Sequence, residues 1–185
     1  EGYKLSIDLC YSIHDDAVDM DMTVNPEMDV PGFEIFFASY VCEALQETWV
    51  PLSSQDGSRE WTKLCNRGKL NSIFGVMRNA SLLGHLSSEY PDSDVNVQER
   101  PFSEPILVAR DPTHGLALVF LCDPHVTKYL AGQHHGWDTA HDWSFGTDLT
   151  AGQEVSARTR LICRQFQDVR HMHKEIAQLW REFKQ

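Results

Sequence analysis

The sequence contains no apolar run long enough to cross a membrane. Its longest apolar stretch is Gly115 to Cys122 (GLALVFLC), which has the length of a β-strand, whereas a membrane helix needs about 20 apolar residues. The chain has 185 residues and is 42% hydrophobic, which is enough to build a buried core. We therefore expect a soluble protein with no membrane partner.

Paired cysteines and clustered basic residues are also lacking. The five cysteines are widely spaced, odd in number and without a CxxC pair, so a disulfide framework or a zinc finger is not expected. Reduced thiols favour a cytoplasmic location, or export if the protein is bacterial. The formal net charge is −11 with no basic stripe, which argues against nucleic acid as a partner.

Length predicts a single domain over residues 1–185. The chain begins at Glu1 without Met, and strand-like alternation starts at Tyr3. We therefore expect that an N-terminal portion precedes it.

Alternating apolar and polar residues predict two β-hairpins and a late strand. The first hairpin runs through Tyr3–Ile13 and Val18–Val24, with one face of each strand buried. The second joins Ile106–Ala109 to Leu116–Leu121 through the turn DPTHG, and the late strand covers 155–161.

Four further segments complete the assignment. The aromatic segment 33–45 (FEIFFASYVCEAL) predicts a central strand covered on both faces. A turn is expected at Asp56–Gly57. Residues 66–100 are assigned to loops with short strands or one short helix, and residues 125–148 to a long connection.

The chain is predicted to end in a helix over residues 168–184, capped by Asp168. Apolar residues recur at helical spacing on one face, which favours packing against a sheet. These are Val169, Met172, Ile176, Leu179 and Phe183. The predicted fold class is mainly β, an antiparallel β-sandwich with a C-terminal α-helix, and the alternative is a helix-grip fold.

The stretch GQHHGWDTAHDW, residues 132–143, is the main candidate for a ligand site. Indole rings can stack on the apolar faces of sugars, and His and Asp side chains can bind their hydroxyl groups. This mixture favours a carbohydrate ligand, with His135 and His141 as candidate general acids. The predicted ligand-binding residues are Trp137, Asp138, Trp143, Trp61, Arg59 and Arg158.

A metal site built on His135 and His141 is the alternative chemistry. The six-residue spacing fits neither a helical nor a strand ligand pair, and a third ligand such as His114 or His125 would be needed. We therefore expect no resident metal or other cofactor. No nucleophile motif and no phosphate-binding glycine loop is present.

Three stretches together resemble the galactose-mutarotase-like β-supersandwich superfamily: YKLSIDLCYSIHDDAVDMDMTV, PILVARDPTHGLALVFL and DLTAGQEVSARTRLI. The resemblance covers about half of the chain and implies a sandwich that binds or processes carbohydrate. The superfamily's epimerases use a His as acid and a Glu as base, and neither is matched here to a position.

Three functional hypotheses therefore remain open. The first is a carbohydrate-binding or carbohydrate-modifying sandwich, in which replacing Trp137 by Ala abolishes ligand binding but not folding. The second is a metal-dependent enzyme that uses His135 and His141. The third is a structural or interaction domain, which burial of Trp137 and Trp143 would favour.

Overall fold

The computed structural model describes residues 2–64, 72–79, 94–134 and 138–185. These residues form twelve strands and one helix. The elements are β1 (Leu5–Ile13), β2 (Ala17–Pro26), β3 (Val30–Cys42), β4 (Glu47–Ser53), β5 (Arg59–Lys63), β6 (Ser72–Met77), β7 (Asp94–Gln98), β8 (Ile106–Arg110), β9 (Leu116–Cys122), β10 (Thr127–His134), β11 (Asp138–Leu149), β12 (Val155–Gln165) and α1 (Val169–Phe183).

The strands form two sheets that pack as a sandwich. The larger sheet has the order β1-β2-β12-β9-β8-β4-β5, and the smaller has the order β3-β11-β10-β6-β7. All pairings are antiparallel except that of β6 with β7. The mainly β sandwich with a C-terminal helix, predicted from the sequence, is therefore confirmed.

The larger sheet is buried on both faces over its centre. Its inner face packs on the smaller sheet, where Phe120 of β9 contacts Trp143 of β11. Its outer face packs on α1 through Met172, Ile176 and Trp180. This double burial explains the unbroken apolar run of β9, since both faces of that strand need apolar side chains.

Both predicted hairpins and the C-terminal helix are confirmed. The first hairpin pairs β1 with β2 in one unbroken register, and the second pairs β8 with β9. Asp168 caps α1, and its Oδ1 accepts a hydrogen bond from the backbone N–H of His171 at 2.7 Å. The turn at Asp56–Gly57 is also confirmed, with Gly57 at a φ of 79°.

Burial of the first hairpin differs from the prediction. Its apolar side chains lie on the inner face, because Leu9 and Tyr11 stand opposite Met22 and Met20. The smaller sheet ends at β3, however, so these side chains of β1 remain exposed, and Tyr11 keeps 60% of its surface.

The aromatic strand β3 also corrects its prediction. It runs over Val30–Cys42, and it is the end strand of the smaller sheet, not a central strand covered on both faces. Exposed and partly buried residues alternate along most of its length. The prediction inferred burial from the aromatic residues, but such residues are also common on edge strands.

The prediction of a long connection over residues 125–148 is wrong. These residues form β10 and β11, which pair with each other and supply two inner strands of the smaller sheet. Their polar side chains hide the strand pattern because several are buried and hydrogen-bonded. Ser144, for example, accepts a hydrogen bond from the backbone N–H of Tyr129 at 3.2 Å.

Residues 66–100 fall partly outside the described chain. The described parts include β6 and β7, which agree with the short strands expected there. In the described residues, no helix is both long and apolar enough to span a membrane.

The turn between β8 and β9 yields a test of stability. Gly115 has a φ of 73°, and a Cβ there would collide with the carbonyl oxygen of Phe166. Gly152 has a φ of 72° but open space around its Cα. Gly115→Ala should therefore lower the free energy of unfolding by about 3 kcal/mol and Gly152→Ala by about 1 kcal/mol. Urea denaturation of both variants measures the difference, and equal losses would contradict the collision.

Candidate functional site

The second half of the candidate stretch 132–143 lies inside the sandwich. Trp143 retains 8% exposure and stacks on Phe37, with ring centroids 5.5 Å apart. His141 has no exposed surface; its ring stacks on Phe120, and its Nε2 lies 3.1 Å from Thr48 Oγ1. Both side chains therefore occupy the core between the sheets.

The first half of the stretch is only partly described. His135 and Trp137 lie outside the described residues, so their roles remain predictions. The backbone of Asp138 begins β11, opposite Cys42 of β3.

Trp61 and Arg59 lie on the other face of the larger sheet, beneath α1. Trp61 stacks on His173 of the helix, with ring centroids 4.5 Å apart and planes 3° from parallel. Arg59 forms an ion pair with Glu104, which also accepts a hydrogen bond from Ser103. The contacts of His173 with Trp61 of β5 and Trp49 of β4 dock the helix on this end of the larger sheet.

Arg158, the remaining predicted ligand-binding residue, lines a surface groove of about 680 Å³. We call this the β2–β12 groove. It lies where β2 and β12 meet the β9–β10 turn and the end of α1. Its lining residues are Asp21, Met22, Thr23, Asp123, Pro124, His125, Ser156, Ala157, Arg158, Phe183 and Lys184.

Two Asp–Arg pairs join β2 to β12 as a ladder, and the pair Asp21–Arg158 lines this groove. Asp21 and Arg158 stand directly opposite each other on β2 and β12, and Arg158 Nε donates to Asp21 Oδ1 at 2.6 Å. The next pair is bidentate, since Arg160 donates to both oxygens of Asp19 at 2.6 and 2.7 Å. The hydrogen bond from Arg160 lowers the pKa of Asp19 and outweighs the effect of its burial. Asp19 therefore stays ionised at neutral pH.

The rest of the groove offers hydroxyl groups, an imidazole and an aromatic ring. Thr23 and Ser156 stand opposite each other, with their hydroxyl oxygens 3.4 Å apart. Asp123 shapes the β9–β10 turn by accepting a hydrogen bond from the backbone N–H of His125 at 2.7 Å. Phe183 packs against Trp180 at the end of α1. The groove thus combines donors, acceptors and one apolar surface.

Of the predicted residues whose side chains are described, only Arg158 lines this groove. Asp21, Thr23, Ser156, His125 and Phe183 were not predicted as ligand-binding residues. The available signal was the alternating charge in DMD (residues 19–21) and in RTR (residues 158–160), because the opposite charges meet only when β2 and β12 pair in this register.

His114 and His125, the candidate third ligands of a metal site, lie in different parts of the fold. His114 Nδ1 lies 2.7 Å from Asp111 Oδ2 in the β8–β9 turn, whereas His125 lines the β2–β12 groove. Within the described ranges, no cluster of three or more His, Cys, Asp or Glu side chains is placed to hold a metal ion.

The fold is similar to that of solved structures, although no family model and no curated protein sequence matches the chain. A candidate aldose 1-epimerase from Escherichia coli K12 matches with a TM-score of 0.57 at 8% identity, over 89% of this chain and 62% of that one. The Slr1438 protein from Synechocystis sp. PCC 6803 matches with a TM-score of 0.57 at 9% identity, over 89% of this chain and 56% of that one.

A galactose mutarotase related enzyme from Lactobacillus acidophilus gives a lower TM-score of 0.46 at 8% identity, over 90% of this chain and 63% of that one. The two matches with a TM-score of 0.57 confirm the resemblance expected from the sequence at the level of the fold, a β-sandwich similar to that of the candidate aldose 1-epimerase. The chain spans less than two thirds of each of these structures.

The contact between α1 and β5 yields a pH-dependence test. Burial, together with the positive charges of Arg110 and Arg59, lowers the pKa of His173 to about 4. The two rings that face it, Trp49 and Trp61, carry no charge that would offset this effect. Between pH 4 and its ordinary value of 6.5, the unfolded chain therefore binds more protons at this residue than the folded chain does.

The free energy of unfolding should consequently fall as the pH falls from about 6.5 towards 4. His173→Phe keeps an aromatic ring against Trp61 and removes the titrating group. When the pH is lowered from 7 to 4.5, the wild-type protein should lose about 1–2 kcal/mol more free energy of unfolding than His173→Phe does. Urea denaturation of both proteins at the two pH values measures this difference. Parallel stability curves for the two proteins would contradict the assignment.

Proposed function

We propose that this protein binds a carbohydrate in the β2–β12 groove. The observation that carries the proposal is the combination, in one groove, of the Asp21–Arg158 pair, two adjacent hydroxyl groups and the ring of Phe183. Ligand sites typically join a few placed polar groups to apolar surface in this way.

The groove chemistry suits a polyhydroxylated ligand. Asp21 retains acceptor capacity beyond its bond from Arg158, and the guanidinium group of Arg158 retains donors beyond Nε. Sugar hydroxyl groups both donate and accept hydrogen bonds. One hydroxyl group can therefore donate to Asp21 while its neighbour accepts a hydrogen bond from Arg158. Phe183 would face the apolar C–H surface of the ring.

The fold supports the same ligand class more generally. One of the similar structures is described as a candidate aldose 1-epimerase. We propose binding instead of turnover because His141, the described candidate acid, has no exposed surface to offer a substrate.

A structural or interaction role is the second candidate. Burial of Trp143 between the sheets favours it, because this ring serves the core and not a ligand surface.

Removing the groove's guanidinium group tests the carbohydrate proposal. Arg158 is 53% exposed, so Arg158→Ala should leave the fold intact and cost at most about 1 kcal/mol of stability. It should weaken binding of a neutral aldose about tenfold or more, because the polar pair that holds the hydroxyl groups is lost. The affinity is measured from amide chemical shifts during titration with glucose, galactose, mannose and their disaccharides.

Arg164→Ala is the matched control. Arg164 of β12 pairs with Asp16, just before β2, and lies outside the groove, so its loss should not change sugar affinity. If none of the sugars perturbs the groove residues, the proposal is refuted. If Trp137→Ala abolishes binding while Arg158→Ala does not, the ligand binds at the stretch 132–143 instead.

A further inference from the structure

The first strand of the larger sheet is the most exposed of the described strands. β1 stands at the end of that sheet and pairs with β2 alone among the strands that the structure describes. Every residue of β1 from Ser6 to Ile13 is exposed. In the described ranges, the backbone edge of β1 that points away from β2 therefore has no strand beside it.

A row of apolar side chains follows the inner face of β1. The row consists of Leu5, Ile7, Leu9, Tyr11 and Ile13. Exposure rises along it and reaches 82% at Ile13. A contiguous row of exposed apolar side chains usually marks an interaction surface, because folded proteins rarely keep such a row in water.

β1 also lacks the features that usually protect an edge strand. It pairs with β2 over its whole length without a bulge, and it contains neither proline nor an inward-pointing charge. A regular apolar edge of this kind readily accepts another strand.

The apolar row is complementary to a second copy of itself. When two β1 strands pair antiparallel about a two-fold axis at Leu9, Ile7 of each copy stands opposite Tyr11 of the other. In the same register Leu5 stands opposite Ile13. Each paired position on the inner face then joins two apolar side chains, and such cross-strand pairs stabilise a sheet.

The charges of β1 and its ends fit the same arrangement. Asp8 stands opposite Cys10, so no like charges face each other across the two strands. Lys4 precedes β1 and Asp15 follows it, so antiparallel pairing brings Lys4 of each copy near Asp15 of the other. In the part of the chain that the structure describes, neither side chain has an ion pair of its own. A second copy of this chain therefore supplies both the matching apolar row and the opposite end charges.

We propose that β1 is the interface of a two-fold symmetric dimer of this chain. The two β1 strands pair antiparallel about an axis at Leu9, and the two larger sheets join into one continuous sheet. Ile7 of each copy packs against Tyr11 of the other. Because the two-fold arrangement uses the β1 edges of both copies, association stops at the dimer.

The net charge sets how this dimer responds to salt. Each copy carries a formal charge of −11, so two copies repel each other at low ionic strength. Salt screens this repulsion, whereas the apolar contacts and the backbone hydrogen bonds remain. The Kd of the dimer should lie between about 1 and 100 µM, and it should fall at least about threefold when NaCl is raised from about 50 to 500 mM. Sedimentation velocity measures it.

Leu9→Lys and Leu116→Lys form a matched pair of variants. Both replace a strand leucine of similar exposure, 45% and 40%, and both change the net charge equally. Leu9→Lys places two positive charges opposite each other on the axis, so it should raise the Kd about tenfold or more. Leu116 lies on β9, so its replacement should not raise the Kd. Thermal melting checks that both variants fold.

A pair of opposite charges tests the register. Ile7→Lys and Tyr11→Glu each place one charge opposite an apolar side chain, and each should raise the Kd about fivefold or more. In the double variant the two opposite charges face each other across the interface, so the Kd should return to within about threefold of the wild-type value. The two positions are about 13 Å apart along one strand, so the rescue requires a second copy. Dimerisation should also slow hydrogen exchange at alternate amides of β1, because only these face the added strand.

Three results would overturn the proposal. The first is a monomer at concentrations up to about 200 µM in high salt, which would leave the apolar row to a different partner. The second is a dimer that Leu9→Lys and Leu116→Lys weaken equally, which would place the interface elsewhere. The third is a double variant that dimerises no better than the single variants, which would exclude the register about Leu9.

Discussion

The pairing of β12 with β2 and β9 is the constraint on which the rest of the fold depends. β12 lies near the C-terminus, yet it joins the first hairpin to the β8–β9 hairpin within one sheet. Without it, β1 and β2 would have no strand to attach them to the molecule, since a lone hairpin is marginal in water. The Asp–Arg ladder stabilises the register, because a shift of one residue would move Arg158 and Arg160 to the apolar face.

The same pairing connects the core to the surface groove. Inner side chains of β2 and β12 pack against the smaller sheet, while outer side chains form the ladder and the hydroxyl pair. The helix adds Phe183 only because its own apolar face docks on the outer surface of β8 and β9. The β2–β12 groove is therefore lined by residues from the first and the last strands of the larger sheet's centre and from the C-terminal helix.

The two sheets differ in how far they extend, and this difference gives the molecule a second kind of surface. The groove is lined by the Asp21–Arg158 ion pair and two hydroxyl groups, whereas the inner face of β1 carries exposed apolar side chains such as Tyr11 and Ile13. Water-exposed apolar side chains in a contiguous row usually mark an interaction surface.

The sequence by itself determined the local elements whose side chains alternate or recur regularly. The first hairpin, the β8–β9 hairpin and the Asp168-capped helix follow from the periods of two and 3.6 residues. The tertiary structure alone decided which strands meet, and therefore what is buried. It placed the polar residues His141 and Ser144 inside a strand, and it left Tyr11 exposed. Local periodicity cannot predict this, because burial depends on a neighbouring sheet that residues distant in sequence supply.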